Sequence, residues 1–269
     1  MDNRPIGVFD SGLGGLTAVK ELELALPGES IVYFGDTGRV PYGSRSRETV
    51  RRYARQDMNF LLGHNVKAVL AACGTVSSTA GDIGAALPVP YFDVVAPTAR
   101  AAAKAADNRR VGVIGTSATI ASGSYVRALR ELDPKLEVFS QACPLFVPLV
   151  ESGFVDPEDP ITRLAAERYL TPLREAGVGA LILGCTHYPI IRRTIRQVMG
   201  PDIALIDSGR EAALALAEFL ASHELLCGPD QRRQAEYYVT DAPEDFASVA
   251  ELFLGHSVAG RRIDIENGE

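Results

Sequence analysis

The segment VGALILGCTH, residues 178–187, decides the fold that we predict for this chain. It is a mostly apolar run that stops at Gly184, and a cysteine, a threonine and a histidine follow at once. A second segment, VKAVLAACGT at 66–75, has the same plan. Short runs of this kind are typical of strands that are buried on both faces of a parallel sheet. The two segments therefore predict equivalent strands of a parallel α/β fold, each with polar residues at its carboxyl end.

Strand-like and helix-like segments alternate along the chain. Each predicted strand is a short apolar run, and a helical segment follows every one of them. This alternation is typical of a parallel sheet with helices packed on both faces, so we predict an α/β fold. The predicted strands span residues 5–10, 30–36, 66–73, 89–95, 109–116, 136–142, 178–185, 203–208 and 235–240.

The chain also contains an internal sequence repeat, in which two segments of the first half resemble two segments of the second. RPIGVFDSG at 4–12 resembles RRVGVIGTS at 109–117, and 66–75 resembles 178–187. The two offsets, 105 and 112 residues, are nearly equal and the pairs occur in the same order. This favours two similar halves related by an approximate two-fold axis. The alternative is chance, because buried strands of α/β proteins resemble one another.

Composition narrows the class of protein. The chain has 269 residues, 46% hydrophobic and 23% charged, which is typical of a globular protein, and its net charge is −7. Without a basic face or a block of Lys and Arg, we expect no binding to nucleic acid or to an anionic membrane. The N-terminus does not resemble a signal peptide, and no apolar run reaches the roughly 18 residues of a membrane span. We therefore expect a cytoplasmic protein with reduced cysteines.

Polar residues gather at the predicted carboxyl ends of the strands, where parallel α/β proteins bind their ligands. These positions also lie at or near predicted helix N-termini. Free backbone N–H groups there attract anions and lower the pKa of a thiol. The candidate positions are Asp10, Ser11, the loop 36–46, Cys73, Gly74, Thr75, Thr116, Thr119, Cys185, Thr186 and His187.

Simpler explanations exist for several of these residues. Asp10 is also explained as a helix N-cap, and VPYGSR at 40–45 as an ordinary turn. GLGG at 12–15 fails the dinucleotide-binding pattern because residue 17 is Thr, and no Gly-Lys-Ser/Thr follows it, so we predict no nucleotide site. The remaining cysteines and histidines are interpreted as structural residues: Cys143, Cys227, His64, His223 and His256.

Two matched cysteines restrict the chemistry. A Cys–His nucleophile needs only one cysteine, and a redox pair needs sulfurs that meet at about 2 Å. Racemisation instead needs two acid/base groups on opposite faces of one carbon, one to remove the Cα proton and one to deliver a proton from behind. Because this reaction is nearly mirror-symmetric, two similar halves with a thiol each favour a racemase that uses Cys73 and Cys185.

Five motifs, in this order, make the chain resemble the glutamate racemases, which are cofactor-independent enzymes of peptidoglycan synthesis. The resemblance covers nearly the whole chain, and the combination is highly specific. The motifs are IGVFDSGLGGLT at 6–17, VPYGSRS at 40–46, AACGT at 71–75, CPLFVPLVESG at 143–153 and LGCTHYP at 183–189.

The resemblance implies a role for each site residue. Cys73 and Cys185 would be the two acid/base groups, with Asp10 supporting the first thiol and His187 and Glu151 supporting the second. It implies glutamate as the substrate, with no metal, no pyridoxal phosphate and no nucleotide cofactor. Together with the strand-end positions, it predicts substrate contacts at Asp10, Ser11, Pro41, Tyr42, Gly43, Ser44, Gly74, Thr75, Thr116, Thr119, Thr186 and His187.

The resemblance also implies two flavodoxin-like domains with the active site between them. We expect residues 1–95 and 208–269 to form the first domain, because the C-terminal segment returns to it, and 96–207 to form the second. Dimers are common among related enzymes, so a homodimer is one expected assembly.

One residue departs from the family pattern, which usually has Asn where this chain has Gly74. Water or the backbone N–H of Gly74 could replace the missing amide, or the substrate preference has changed. Two alternatives therefore stay open at this point: an aspartate or related amino-acid racemase, and a catalytically weak binding or regulatory protein on the same scaffold.

Overall fold

The computed structural model describes residues 1–241 and 243–265, and the expected α/β class is confirmed. The strands are β1 Ile6–Asp10, β2 Ile31–Gly35, β3 Ala68–Ala71, β4 Tyr91–Asp93, β5 Arg110–Gly115, β6 Glu137–Ala142, β7 Ala180–Leu183, β8 Ala204–Asp207, β9 Ala235–Val239 and β10 Gly260–Arg262. The α-helices are α1 Leu16–Ala25, α2 Arg47–Gly63, α3 Gly74–Gly84, α4 Val95–Ala105, α5 Ser117–Ser122, α6 Ser124–Leu132, α7 Phe146–Glu151, α8 Pro160–Glu175, α9 Arg192–Met199, α10 Ser208–Ser222 and α11 Pro243–Leu254. Short 3₁₀ helices span Thr37–Arg39, Tyr42–Ser44 and Tyr188–Ile191.

The strands form two sheets in which every pairing is parallel. One sheet has the order β10-β9-β2-β1-β3-β4 and the other β6-β5-β7-β8. The four strands β2-β1-β3-β4 therefore repeat in the arrangement β6-β5-β7-β8. The repeated segments 4–12 and 109–117 contain β1 and β5, and the segments 66–75 and 178–187 contain β3 and β7. This common order supports the internal duplication, and it begins like the flavodoxin-like order 2-1-3-4-5.

The C-terminal segment joins the first sheet, because β9 pairs with β2 and β10 pairs with β9. The expected domain boundaries, 1–95 with 208–269 and 96–207, stay a prediction. Residue 242 and residues 266–269 of the expected first domain lie outside the described residues.

Strands β1, β3 and β7 lie in the interior of their sheets, as their apolar sequences predict. All residues of β1, β3 and β7 are buried.

At the edge of this core, the Lys67 ammonium lies 2.6 Å from a Glu29 carboxylate oxygen and donates to the carbonyls of Asp2 and Leu225. An ion pair buried in this way is costly to break, so it fastens the chain after α10 to the first sheet.

Within the described part of the chain, no helix is long and apolar enough to cross a membrane.

The two halves meet closely at the carboxyl ends of β3 and β7. A Cβ atom added to Gly74 would lie 2.4 Å from the carbonyl oxygen of Gly184, a distance that real Cβ contacts do not reach. Nearby, the hydroxyls of Thr75 and Thr116 are 3.1 Å apart, and the Ser124 hydroxyl donates to Ser78 at 2.9 Å. Only glycine at position 74 allows this separation of the two strand-end loops.

The close contact gives a prediction for Gly74→Ala. The added methyl group meets a backbone oxygen that cannot rotate away, so the loops must separate. We expect the free energy of unfolding to fall by about 1–3 kcal/mol, as in other overpacked sites. The measurement is the urea midpoint of unfolding at constant slope. Gly63→Ala is the matched control, because a Cβ there meets nothing within 4 Å. Equal midpoints for the two variants would contradict the account.

Candidate active site

One cavity of about 340 Å³ lies at the carboxyl ends of the strands of both sheets. Most of the predicted site residues line it, whereas Asp10 and Thr119 lie behind the lining and are each 1% exposed. The predicted residues that line the cavity are Ser11, Pro41, Tyr42, Gly43, Ser44, Cys73, Gly74, Thr75, Thr116, Glu151, Cys185, Thr186 and His187.

Cys73 follows β3 and is the N-terminal capping residue of α3. Its Sγ donates to the Ser11 hydroxyl oxygen at 3.5 Å, and the residue is only 5% exposed. Burial, and after it the negative charge of Asp10, raises the pKa of the Cys73 thiol to about 12. The expectation that the helix N-terminus would lower this pKa is wrong for Cys73, because loss of solvent around the thiolate outweighs the helix. Cys73 is therefore a protonated thiol at neutral pH.

Asp10 ends β1, directly before the loop that carries Ser11. Its carboxylate accepts a hydrogen bond from the backbone N–H of Gly12 at 3.0 Å. Burial raises the pKa of Asp10, whereas the charge of His187 and the N–H groups of Gly15, Gly12 and Ser11 act in the opposite direction. Asp10 thus influences Cys73 through its charge and through the loop that it stabilises.

Cys185 follows β7 and has a different environment. Its Sγ lies 3.9 Å from Nδ1 of His187, and Nε2 of the same ring lies 2.9 Å from Oε1 of Glu151. Burial opposes the charged imidazolium, but hydrogen bonds to Cys185 and Glu151 outweigh it and raise the pKa of His187 to about 10. Phe253 of α11 packs edge-on against the ring with centroids 5.4 Å apart. His187 is therefore a fixed cation beside the second cysteine.

Besides the thiols, His187 and Glu151, the polar lining is made of hydroxyls and backbone groups. Among the described residues that line the cavity there is no Lys or Arg. The Tyr42 hydroxyl does not face the cavity, because it donates to the buried carboxylates of Asp36 and Asp57. Only other atoms of Tyr42 can contact a ligand. The arrangement suits a small polar ligand held between two thiols.

Sequence analysis missed several lining residues. Cys143, interpreted as structural, lines the same cavity, and burial raises the pKa of its thiol. It follows β6, so the strand-end rule that selected the other cysteines would also have selected it. The other missed lining residues are Gly12, Ser117, Pro144, Val147, Pro148 and Gly184, whereas Val40 belongs to the candidate loop 36–46.

Comparison with known proteins gives a consistent result. Residues 15–216 match the family model described as Asp/Glu/Hydantoin racemase. The chain is 47% identical to the glutamate racemase of Chlorobaculum tepidum over 253 residues, which is 93% of this chain and 92% of that one.

Two solved structures extend the comparison. The glutamate racemase from Francisella tularensis, in complex with D-glutamate, superposes with a TM-score of 0.92 at 41% identity and covers 99% of this chain and 100% of its own. The Thermus thermophilus enzyme, in complex with β-chloro-D-alanine, gives a TM-score of 0.89 at 45% identity and 99% coverage of both chains. The resemblance to glutamate racemases that the motifs predicted is confirmed, and the chain belongs to the Asp/Glu/hydantoin racemase family of isomerases.

Proposed function

We propose that this protein interconverts L- and D-glutamate by moving the Cα proton between Cys73 and Cys185. One observation carries the proposal: the two thiols follow equivalent strands of the two sheets and line one cavity. The full-length similarity to glutamate racemases supports glutamate as the substrate. By the same resemblance, the product D-glutamate would serve peptidoglycan synthesis in the cytoplasm.

The reaction from L to D starts with Cys73 as a thiol and Cys185 as a thiolate. The Cys185 thiolate removes the Cα proton, so an S–H bond forms as the C–H bond breaks. Cys73 then delivers its own proton to the opposite face, which leaves Cys73 as the thiolate. Exchange with solvent restores the starting state. General acid/base groups of this kind typically contribute about 10²–10⁴-fold to the rate.

The surroundings of the two cysteines support these starting states. The His187 cation, held by Glu151, can donate a hydrogen bond to the Cys185 thiolate and stabilise it. The Asp10 charge instead favours the protonated form of Cys73, which is the proton donor in this direction. Asp10, His187 and Glu151 are therefore proposed to set the protonation state of the thiols.

Substrate binding would depend on the hydroxyl and backbone donors of the lining. The contacts proposed above include Ser11, Ser44 and Thr186, with the N–H of Gly74 in place of the family's usual Asn side chain. An Asn at position 74 would have a Cβ atom, and a Cβ at this position would lie 2.4 Å from the carbonyl oxygen of Gly184. An Asn side chain at position 74 would therefore require the two loops to separate.

Circular dichroism of glutamate incubated with the pure protein tests the function. We expect the signal of L-glutamate, or of D-glutamate, to decay to zero, because the two enantiomers have equal energy. L-aspartate is the control and should keep its signal over the same time. Decay with aspartate alone would support the alternative substrate, and no decay with either would support a binding protein without activity.

Single cysteine variants test the assignment of the two faces. We expect Cys73→Ala and Cys185→Ala each to lower racemisation by about 10²-fold or more, because one face then lacks its acid or base. By resemblance, Cys185 faces the L-enantiomer. NMR in D₂O should show that Cys73→Ala exchanges the Cα proton of L-glutamate only, and that Cys185→Ala exchanges that of D-glutamate only.

The control for this experiment is Cys227→Ala, because Cys227 is not a residue of the cavity lining. This variant should keep the wild-type rate. Racemisation at a tenth of the wild-type rate by either single variant would overturn the two-thiol mechanism.

A further inference from the structure

A buried ionic cluster holds the loop that follows β2. Asp36, the first residue of this loop, is fully buried. Nε of Arg39 lies 2.6 Å from a carboxylate oxygen of Asp36, and Nη2 lies 3.2 Å from a carboxylate oxygen of Asp57 on α2. Nη1 of Arg39 donates a hydrogen bond to Oε1 of Gln56 at 2.6 Å. The guanidinium also lies over the Tyr53 ring, 4.1 Å from its centroid. Arg39 therefore joins the loop to α2 through several contacts at once.

Tyr42 connects this ionic cluster to the active-site cavity. Its hydroxyl donates to Asp57 at 3.1 Å and also to Asp36, and the residue is 1% exposed. Its neighbours Pro41 and Gly43 line the cavity. A Cβ on Gly43 would lie 2.9 Å from Cβ of Thr116, so this part of the loop also touches the second half. The position of the cavity wall thus depends on the ionic cluster behind it.

The segment after strand β9 contributes further contacts. The Thr240 hydroxyl, directly after β9, donates to the second carboxylate oxygen of Asp36 at 2.9 Å. The Thr240 hydroxyl oxygen in turn accepts a hydrogen bond from the backbone N–H of Gly38 at 2.8 Å. Thr37 and Asp241 exchange two further hydrogen bonds, at 2.8 and 2.9 Å. The end of β9 therefore fastens the start of the loop.

We propose that Arg39 and Thr240 are positioning residues that set the affinity for substrate by holding residues 41–44 against the cavity. This inference rests on the proposed function, because it concerns the binding of glutamate at the same site. Arg39 and Thr240 do not line the cavity, so both would act on substrate binding through the loop. Removing one partner from a buried ion pair is strongly destabilising, so a lost contact in this cluster is expected to displace the loop.

Thr240→Val tests the inference with the smallest change, because valine keeps the shape and removes only the hydroxyl. The substitution removes two hydrogen bonds, the one that Thr240 donates to Asp36 and the one that it accepts from Gly38. We expect KM to rise about two- to tenfold for both enantiomers, because relaxation of the loop offsets part of this loss, with kcat within about twofold of wild type. Backbone amides of residues 38–45 should also exchange faster with D₂O by mass spectrometry. Arg39→Lys keeps the charge but not the forked contacts, and we expect the same direction of change.

The matched control is Thr162→Val. Thr162 is fully buried, whereas Thr240 is half-buried, and the Thr162 hydroxyl donates to the Phe154 carbonyl at 2.8 Å; neither residue lines the cavity. We expect this variant to lose stability but to keep the wild-type KM.

Wild-type KM and wild-type loop exchange in both Thr240→Val and Arg39→Lys would overturn the inference. An equal change of KM in Thr162→Val would also overturn it, because the effect would then follow stability alone. The exchange measurement needs no turnover. A wild-type protein that fails to racemise glutamate would refute the proposed function, and loop exchange would still decide whether the cluster holds the loop.

Discussion

The contact between Gly74 and the carbonyl of Gly184 is the constraint on which the two-sided cavity depends. Each glycine is the chain neighbour of a cysteine, so the approach of the two loops brings Cys73 and Cys185 to one cavity. Gly184 is restricted as well, because a Cβ there would lie 2.6 Å from the carbonyl oxygen of Ile114. Parallel sheets direct their strand ends to one edge, and these two glycines allow two such edges to meet closely.

The two halves share a strand order, yet the two thiols have unequal surroundings. Cys73 lies beside Ser11 and near the charge of Asp10, whereas Cys185 lies beside the His187 cation. The two-thiol mechanism proposed above needs one thiol protonated and the other deprotonated at the start of each turnover. Unequal electrostatics on a symmetric scaffold would supply that difference before substrate arrives.

Sequence patterns predicted the parts of the molecule that depend on local periodicity. The buried strands, the two repeated pairs of segments and the cysteines at their ends follow from apolar runs and their boundaries. Strand β10, Gly260–Arg262, was missed because GRR contains no apolar run. Helix α7 has only six residues and contains Pro148, so its sequence has too little helical periodicity to define its ends.

Other features depend on contacts between distant residues. Asp57 belongs to a helix whose pattern assigns it no partner, and only the folded chain brings it to Arg39 and Tyr42. The raised pKa of Cys73 depends on burial, which a helix N-terminus in the sequence does not reveal.

Isotope labelling in D₂O, stopped early in the reaction, tests the central claim most directly. Each thiol carries one exchangeable proton. If Cys73 and Cys185 act from opposite faces, the proton removed from the substrate stays on one sulfur and the product receives deuterium from the other. Mass spectrometry should find early product almost fully labelled at Cα and remaining substrate nearly unlabelled, starting from either enantiomer. Unlabelled early product, as a single base that returns the original proton would give, would contradict the account.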